Sequence, residues 1–468
     1  MTDLDRRSFL KRGGALTAGT LTLGGPMQTL LARSALAVGS SGVAADNGGY
    51  GPLRPTRDIA TGEVLLDLPV GFVYRSFGRT GELMSDGIAT PSSHDGMAAF
   101  EVGRTGFVRL VRNHERRGGG AFGDLGRAYD AKAGGGTTTI ELGPHPASAP
   151  LASWVSLNGT NVNCAGGPSP WGSWITCEEN INGPDLPGTG NQTYDRKHGY
   201  VFEVPSARNP GQYVVGMPIR SAGRFQHEAV AFDPSTGIMY ETEDPFGDGI
   251  GGFYRYIPPA QSRLDDGGRL EMLSVSPAGS TESADLRSGQ VQGVTYAARW
   301  VPIADPDPGF TGNENVDVKA VFNQGAGQGG ARFNRLEGAW YDDGRIFFTS
   351  TQGGDARRGQ VWVFDLRAET LSLVFESPGE ATLDLPDNIT VSPRGGLVLC
   401  EDGGGVNYIR GLTVDGRIFD FARNAVAGFE GNEFAGACFA QRGQTLYVNI
   451  QTPGITFAIW GPWAKGAL

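Results

Sequence analysis

Acidic residues and one cysteine recur in this chain at a fixed spacing. Glu228 and Glu243 bracket EAVAFDPSTGIMYETE, and Asp387 and Asp402 bracket DNITVSPRGGLVLCED, each pair fifteen positions apart. Glu337 opens EGAWYDDGRIFFTSTQ with Gln352 at the matching end. Cys164 opens CAGGPSPWGSWITCEE, which Glu179 closes. Each segment carries a turn signal between two strand-like runs, so its two ends return to the same edge of a sheet. Several such hairpins in a ring gather carboxylates and a thiolate in one place. Carboxylates suit hard cations such as calcium, and a thiolate among them suits a transition metal such as iron. The chemistry implied is a site for several metal ions.

Neighbouring residues refine this reading. A looser hairpin runs from Asp95 to Asn113-His114-Glu115, where Glu115 becomes a hard-cation ligand candidate. Cys177 alternates with Glu178 and reads as packing, which leaves Glu179 as the ligand candidate of that acidic pair. Within Arg224-Phe225-Gln226-His227-Glu228, Glu228 is the ligand candidate, while His227 serves equally well as packing, as support for a ligand, or as a ligand. Glu243-Asp244 offers one or two oxygen ligands, and Asp387-Asn388 and Glu401-Asp402 offer more. Arg335 and Glu337 share one face of an extended strand. They form either a local salt bridge or an arginine clamp for an anionic oxygen beside a metal-bound glutamate.

The elements that must carry these residues are strands. The best are 72–77, 106–113, 172–179, 199–204, 237–243, 345–352, 360–366, 396–402 and 445–451, separated by turns such as Asp342-Asp343-Gly344. No stretch has a convincing helical period. A fifth copy of the hairpin, AGACFAQRGQTLYVNIQ, puts Ala435 in the opening place, with Glu433 two residues earlier. With the looser copy at Asp95 there are six, each followed by further strands. The expected fold is all-β, an irregular six-bladed β-propeller with loop insertions, in one domain over 56–468. Paired β-sandwiches, the main rival, would not produce six related hairpins.

Composition agrees. Gly at 74 and Pro at 28 residues fit a loop-rich β protein, and 10% aromatic residues suffice to build its core. A formal charge of −11 argues against nucleic acid and anionic membranes as partners. Arg6-Arg7-Ser8-Phe9-Leu10-Lys11 is a twin-arginine pattern, followed by a weakly apolar stretch and Ala35-Leu36-Ala37. Residues 1–37 are thus expected to be a cleaved signal read by the twin-arginine translocase, and 38–55 a flexible Gly-rich linker. The mature protein is expected to be periplasmic or secreted, without a stable membrane anchor, and monomeric. That export route carries folded proteins, often with a cofactor already installed. No nucleophile elbow, Walker loop, His-Glu-x-x-His or Rossmann fingerprint is present, and five His argue against a His-rich zinc or copper centre.

RNHE at 112–115, NCAGG at 163–167, PWGSWITCEEN at 170–180, GRFQHE at 223–228, YETED at 240–244, RLEG at 335–338, LPDN at 385–388 and LCEDG at 399–403 together resemble the PhoX-type alkaline phosphatases. EFAGACF, LYVNIQTPG and GPW extend the resemblance to the C-terminus. It implies an exported irregular six-bladed propeller that hydrolyses phosphate monoesters of small molecules. It also implies two ferric ions bridged by an oxo group, with calcium around them. By residue-level match Cys164, Glu179, Glu228 and Glu337 would be metal ligands, as would Glu243, Asp244 and Asp402 more loosely, and Arg335 would hold the phosphate. No protein serine need act as nucleophile. Two other functions fit a ring of hairpins: a calcium-dependent propeller hydrolase acting on lactones or phosphotriesters, and a non-enzymatic propeller binding structural calcium. Cys164 discriminates among them, because a calcium-only site has no use for a thiolate.

Overall fold

The computed structural model describes residues 47–468 except 104–105, 189–191, 210, 246 and 441–442. The signal expected over 1–37 lies outside the described residues.

Short alternating strands pair with their sequence neighbours through tight turns, and the resulting antiparallel sheets form the six blades of a propeller. The innermost strands are His94–Val102, Asn163–Pro168, His227–Phe232, Leu336–Asp342, Pro386–Val391 and Phe434–Phe439, in blades 1 to 6. Each pairs with a second strand: Phe107–His114, Ser173–Glu178, Met239–Glu243, Arg345–Ser350, Leu397–Glu401 and Leu446–Ile450. Each inner strand contacts the next, and blade 6 returns to blade 1. The blades are unequal. Thr295–Ala297, the outer strand of blade 4, precedes the last strand of blade 3, Arg299–Pro302, and two short helices, Glu314–Asp317 and Phe322–Ala326, follow it.

The two ends of the described chain lock the ring. Val73–Phe77 pairs with Ile455–Trp460 as the outer strand of blade 6, while Leu53–Arg57 and Val64–Pro69 extend blade 5 beside Ile418–Asn424. The linker expected to reach residue 55 therefore ends sooner. From Asn47 onward the chain packs, with the Tyr50 hydroxyl 2.7 Å from the Leu468 carbonyl oxygen and Leu53 paired with Pro69. The hydrophobic core lies between adjacent blades, for example Phe421, Phe457 and Trp463 between blades 5 and 6. Each such fully buried side chain contributes about 1.5–3 kcal/mol.

One irregularity recurs in every inner hairpin. The register slips between His94 and Met97, Asn163 and Gly166, His227 and Val230, Leu336 and Ala339, Pro386 and Ile389, and Ala435 and Cys438. A bulge at this place re-aims the side chain it contains. In blades 1 to 5 the first residue inside the slip is Asp95, Cys164, Glu228, Glu337 or Asp387, and in blade 6 Ala435 stands at its edge; these are the opening residues of the sequence repeat.

The bulge also displaces a main-chain oxygen from the ladder, and the preceding blade recovers it. Asn113 Nδ2 donates to Cys164 O (2.9 Å), Thr242 Oγ1 to Glu337 O (2.6 Å), Thr349 Oγ1 to Asp387 O (2.7 Å) and Asn449 Nδ2 to Asp95 O (2.6 Å). The residue that follows is Gly or Ala in every blade but the fifth, which has Asn388, because blades approach closely there. A Cβ on Gly96 would lie 2.5 Å from Ala165 Cα, and one on Gly338 would lie 2.8 Å from Asn388 Cα.

Candidate metal centre

The second strands finish what the bulges begin. Just beyond each, an amide bonds back to the residue two before the slip: Glu115 N to Ser93 O, Glu179 N to Val162 O, Asp244 N to Gln226 O, Thr351 N to Arg335 O, Asp402 N to Leu385 O and Gln451 N to Glu433 O, all within 2.9–3.2 Å. These residues stand at one edge of the ring beside the bulged ones. Ser93, Val162, Arg335 and Leu385 hold positive φ (56°, 53°, 50° and 51°) to make this entry. For a β-branched valine that conformation is strained, and such strain gathers at functional sites.

Alternation along the second strand sorts each acidic pair. The first member faces away from the axis and holds loops. Glu178 accepts from the amides of Asn161, Gly199 and Tyr200, and Glu401 accepts from Asp384 N and Tyr408 N and pairs with Arg410. Glu243 accepts from Gly252 N (2.8 Å) and Tyr254 Oη (2.7 Å), and the Lys319 ammonium acts on it. The second member, Glu115, Glu179, Asp244 or Asp402, faces the cluster. Glu243, expected among the ligands, is thus held apart from it, because the strand is one residue longer than the fifteen-residue spacing supposes. Thr351 likewise stands where Gln352 was expected.

Three sets of carboxylates converge closely enough to share an ion: Asp95 with Glu115 and Glu433, Glu228 with Glu337 and Asp387, and Asp387 with Asp402 and Glu433, each with ligand oxygens within 4.8 Å of one another. Glu228, Glu337, Asp402 and Glu115 are among the expected residues. Asp387, expected with Asn388 to add oxygen ligands, takes part in two of the sets, and Asp95 and Glu433 complete them although neither was singled out as a ligand. Asp95 and Asp387 opened hairpins, and that was their signal. Glu433 comes from two positions ahead of the slip in blade 6, where Ala435 offers no ligand, so a carboxylate from outside the repeat fills the gap.

Glu179 and Asp244 join through arginines. Arg335 Nε and Nη2 donate to Asp244 Oδ1 (2.8 Å) and Oδ2 (2.6 Å), and Nη2 donates to Glu337 Oε1 (2.9 Å). The local Arg335–Glu337 pair is therefore present, and it sits inside the cluster. Arg117, which the sequence reading passed over, bonds Glu115 and lies 3.0 Å from Glu179.

The thiol of Cys164 lies 3.2 Å from His227 O and is buried. Burial, with Glu228 and Glu179 nearby, pushes it well above the ordinary thiol range, so without a cation it stays protonated. Cys177 is buried packing. His227 is packed as well: its Nε2 lies 2.9 Å from Glu241 Oε2 and its ring stacks on Phe225 at 3.6 Å.

Arg117 and Arg335 compensate the cluster only in part. Burial raises Asp95, Glu179, Glu228, Glu337 and Glu433 well above the usual carboxylate range, and repulsion from neighbouring carboxylates adds to it. Asp387 is pushed up to about 7 by burial and by Asp402. Buried carboxylates this close cannot all ionise without a counter-charge. One oxygen, Asp95 Oδ1, is buried with no hydrogen-bond partner. A set of buried carboxylate oxygens short of positive charge could hold metal ions, and the Cys164 thiol lies close by.

Comparison with known proteins agrees with this geometry. The family model described as "Alkaline phosphatase PhoX" matches residues 48–454. Among solved structures, PhoX of Pseudomonas fluorescens in complex with vanadate, a transition state analogue, aligns with TM-score 0.62 at 17% identity, covering 89% of this chain and 98% of that one. A gluconolactonase of Xanthomonas campestris aligns at TM-score 0.40 and 13% identity, covering 88% and 98%, too weakly to bear on function. No curated protein sequence matches.

Proposed function

We propose that this chain, which belongs to the alkaline phosphatase PhoX family, is a phosphatase that hydrolyses phosphate monoesters at an iron–calcium cluster on the propeller axis. The observation that carries this reading is the recurring bulge. Asp95, Cys164, Glu228, Glu337 and Asp387 stand at these slips in successive blades, and the carboxylates among them belong to sets close enough to share an ion.

Glu228, Glu337, Asp387, Asp402, Glu433, Asp95 and Glu115 would hold the ions as the converging carboxylates, with Glu179 and Asp244 beside them and Cys164 as the soft ligand toward iron. Bound there, the ions supply Lewis acidity toward the oxygens of a transferring phosphoryl group. The chain's own contribution is positioning. Asp244 and Glu337 hold the Arg335 guanidinium rigidly over the cluster, where it can donate to phosphoryl oxygens as negative charge develops. The buried bulges keep the carboxylates fixed, so little reorganisation accompanies the reaction.

The twin-arginine pattern supports export to the periplasm or beyond, with phosphorylated small molecules as substrates. Among the described residues no helix is long and apolar enough to cross a membrane. The test is metal analysis of the exported protein with a p-nitrophenyl phosphate assay. Iron and calcium with vanadate-sensitive turnover are expected. Calcium without iron, or no turnover by the loaded protein, would overturn the reading.

A further inference from the structure

Arg117 reaches the site from blade 1, two residues beyond Glu115. Its Nη2 bonds Glu115 and lies 3.0 Å from Glu179 Oε2. The Glu115 and Glu179 side chains are 8% and 5% exposed, whereas that of Arg117 is 55% exposed. Blade 4, across the ring, repeats the arrangement. Arg335 is 29% exposed above Asp244 at 1% and Glu337 at 5%. On both sides a guanidinium stands between solvent and the buried acids, so an approaching anion meets positive charge first.

The two arginines belong to one network. Arg117 contacts Glu179, Glu179 feels the Asp244 carboxylate, and Asp244 is held by Arg335. The charges of both arginines also act on Asp402 of blade 5. Once cations neutralise the acids, two guanidiniums remain at the mouth of a centre that no longer needs them for charge balance.

We infer that Arg117 is a second anion-holding side chain of this site, positioning the phosphoryl group from the blade 1 side opposite Arg335 and favouring dianionic monoesters over monoanionic diesters. The inference rests on the phosphatase reading above. A dianion gains more than a monoanion from a second guanidinium, and a diester carries a substituent where a monoester presents a third charged oxygen.

The test uses the metal-loaded protein. Wild type is first assayed on p-nitrophenyl phosphate; absence of turnover sinks the phosphatase reading and this inference with it. With turnover established, inorganic phosphate binding is measured by calorimetry for wild type, Arg117→Ala and Arg117→Lys. Loss of a charge-assisted contact should weaken phosphate binding about 10- to 100-fold in the alanine variant, with partial recovery by lysine. KM for p-nitrophenyl phosphate should rise, turnover of bis(p-nitrophenyl) phosphate should fall less, and iron and calcium contents should stay unchanged. Phosphate affinity within about twofold of wild type would make Arg117 a rim ion pair and overturn the inference while leaving the phosphatase reading standing. Loss of metal from Arg117→Ala would assign it to holding the cluster together and overturn the inference equally.

Discussion

Arg335, at the entry to blade 4, grips Asp244, at the end of blade 3, through a two-point fork of 2.8 and 2.6 Å. The contact joins two blades at the rim of the cluster and fixes the plane of the guanidinium. Lysine keeps the charge and cannot make the fork. Arg335→Lys is expected to lower kcat/KM for p-nitrophenyl phosphate about 10- to 100-fold, with the metal content retained. Steady-state kinetics beside elemental analysis checks this, and unchanged kcat/KM would remove Arg335 from the site's chemistry.

Cys164 sits at a bulge where blades 1, 3, 4 and 5 place carboxylates. Its thiol is kept protonated by burial and adjacent acids, so only a cation can draw it into the thiolate form. Cys164→Ala should eliminate iron and phosphatase activity while the far-ultraviolet dichroism of the propeller is preserved. Iron at the wild-type level with full turnover would refute the soft-ligand assignment.

Gly96 follows the bulged Asp95, and a Cβ there would lie 2.5 Å from Ala165 Cα. The obstacle is backbone, which cannot rotate aside. Gly96→Ala should destabilise the fold by about 1–3 kcal/mol and perturb the seam between blades 1 and 2. A denaturant midpoint equal to wild type would show that the blades can part there without cost.

His198 is buried behind blade 2, with Nδ1 2.7 Å from Glu178 Oε1 and Nε2 3.6 Å from Asp130 Oδ2. Burial alone would lower its pKa, but Glu178 and Asp130 outweigh it and raise the group from 6.5 to about 9. The folded state therefore binds this proton more tightly than the unfolded chain. The resulting stability is fully present below about pH 6.5 and is lost as pH rises to about 9, a change on the order of 3 kcal/mol. Unfolding free energies measured from pH 6 to 10 should fall across that window, and His198→Gln should flatten the fall. An equal slope in the variant would exclude His198 as its source.

Much of this molecule was legible in one dimension. Strand pairs flanking Asp-Pro-Ser-Thr-Gly or Asp-Asp-Gly turns declare hairpins, and six related hairpins leave few closed arrangements besides a propeller. The spacing from Cys164 to Glu179 and from Asp387 to Asp402 also marked ends that share a sheet edge. Side-chain direction was not legible, because it depends on parity, and a bulge changes parity without leaving a reliable mark. Hence Glu243 and Asp244 read alike in sequence, while in the fold Glu243 is tied to Tyr254 and Asp244 to Arg335.

The repeated hairpin and the supply of hard oxygens with one thiol follow from residue type and local spacing. Which of these side chains meet depends on how the blades close into a ring. Asp95, Glu115 and Glu433 are brought together from blades 1 and 6, where the first and last hairpins of the ring become neighbours. Arg117 reaches Glu179 across a blade boundary in the same way. Ring closure makes distant positions adjacent, and that adjacency is a property of the closed sheet array that no local pattern encodes.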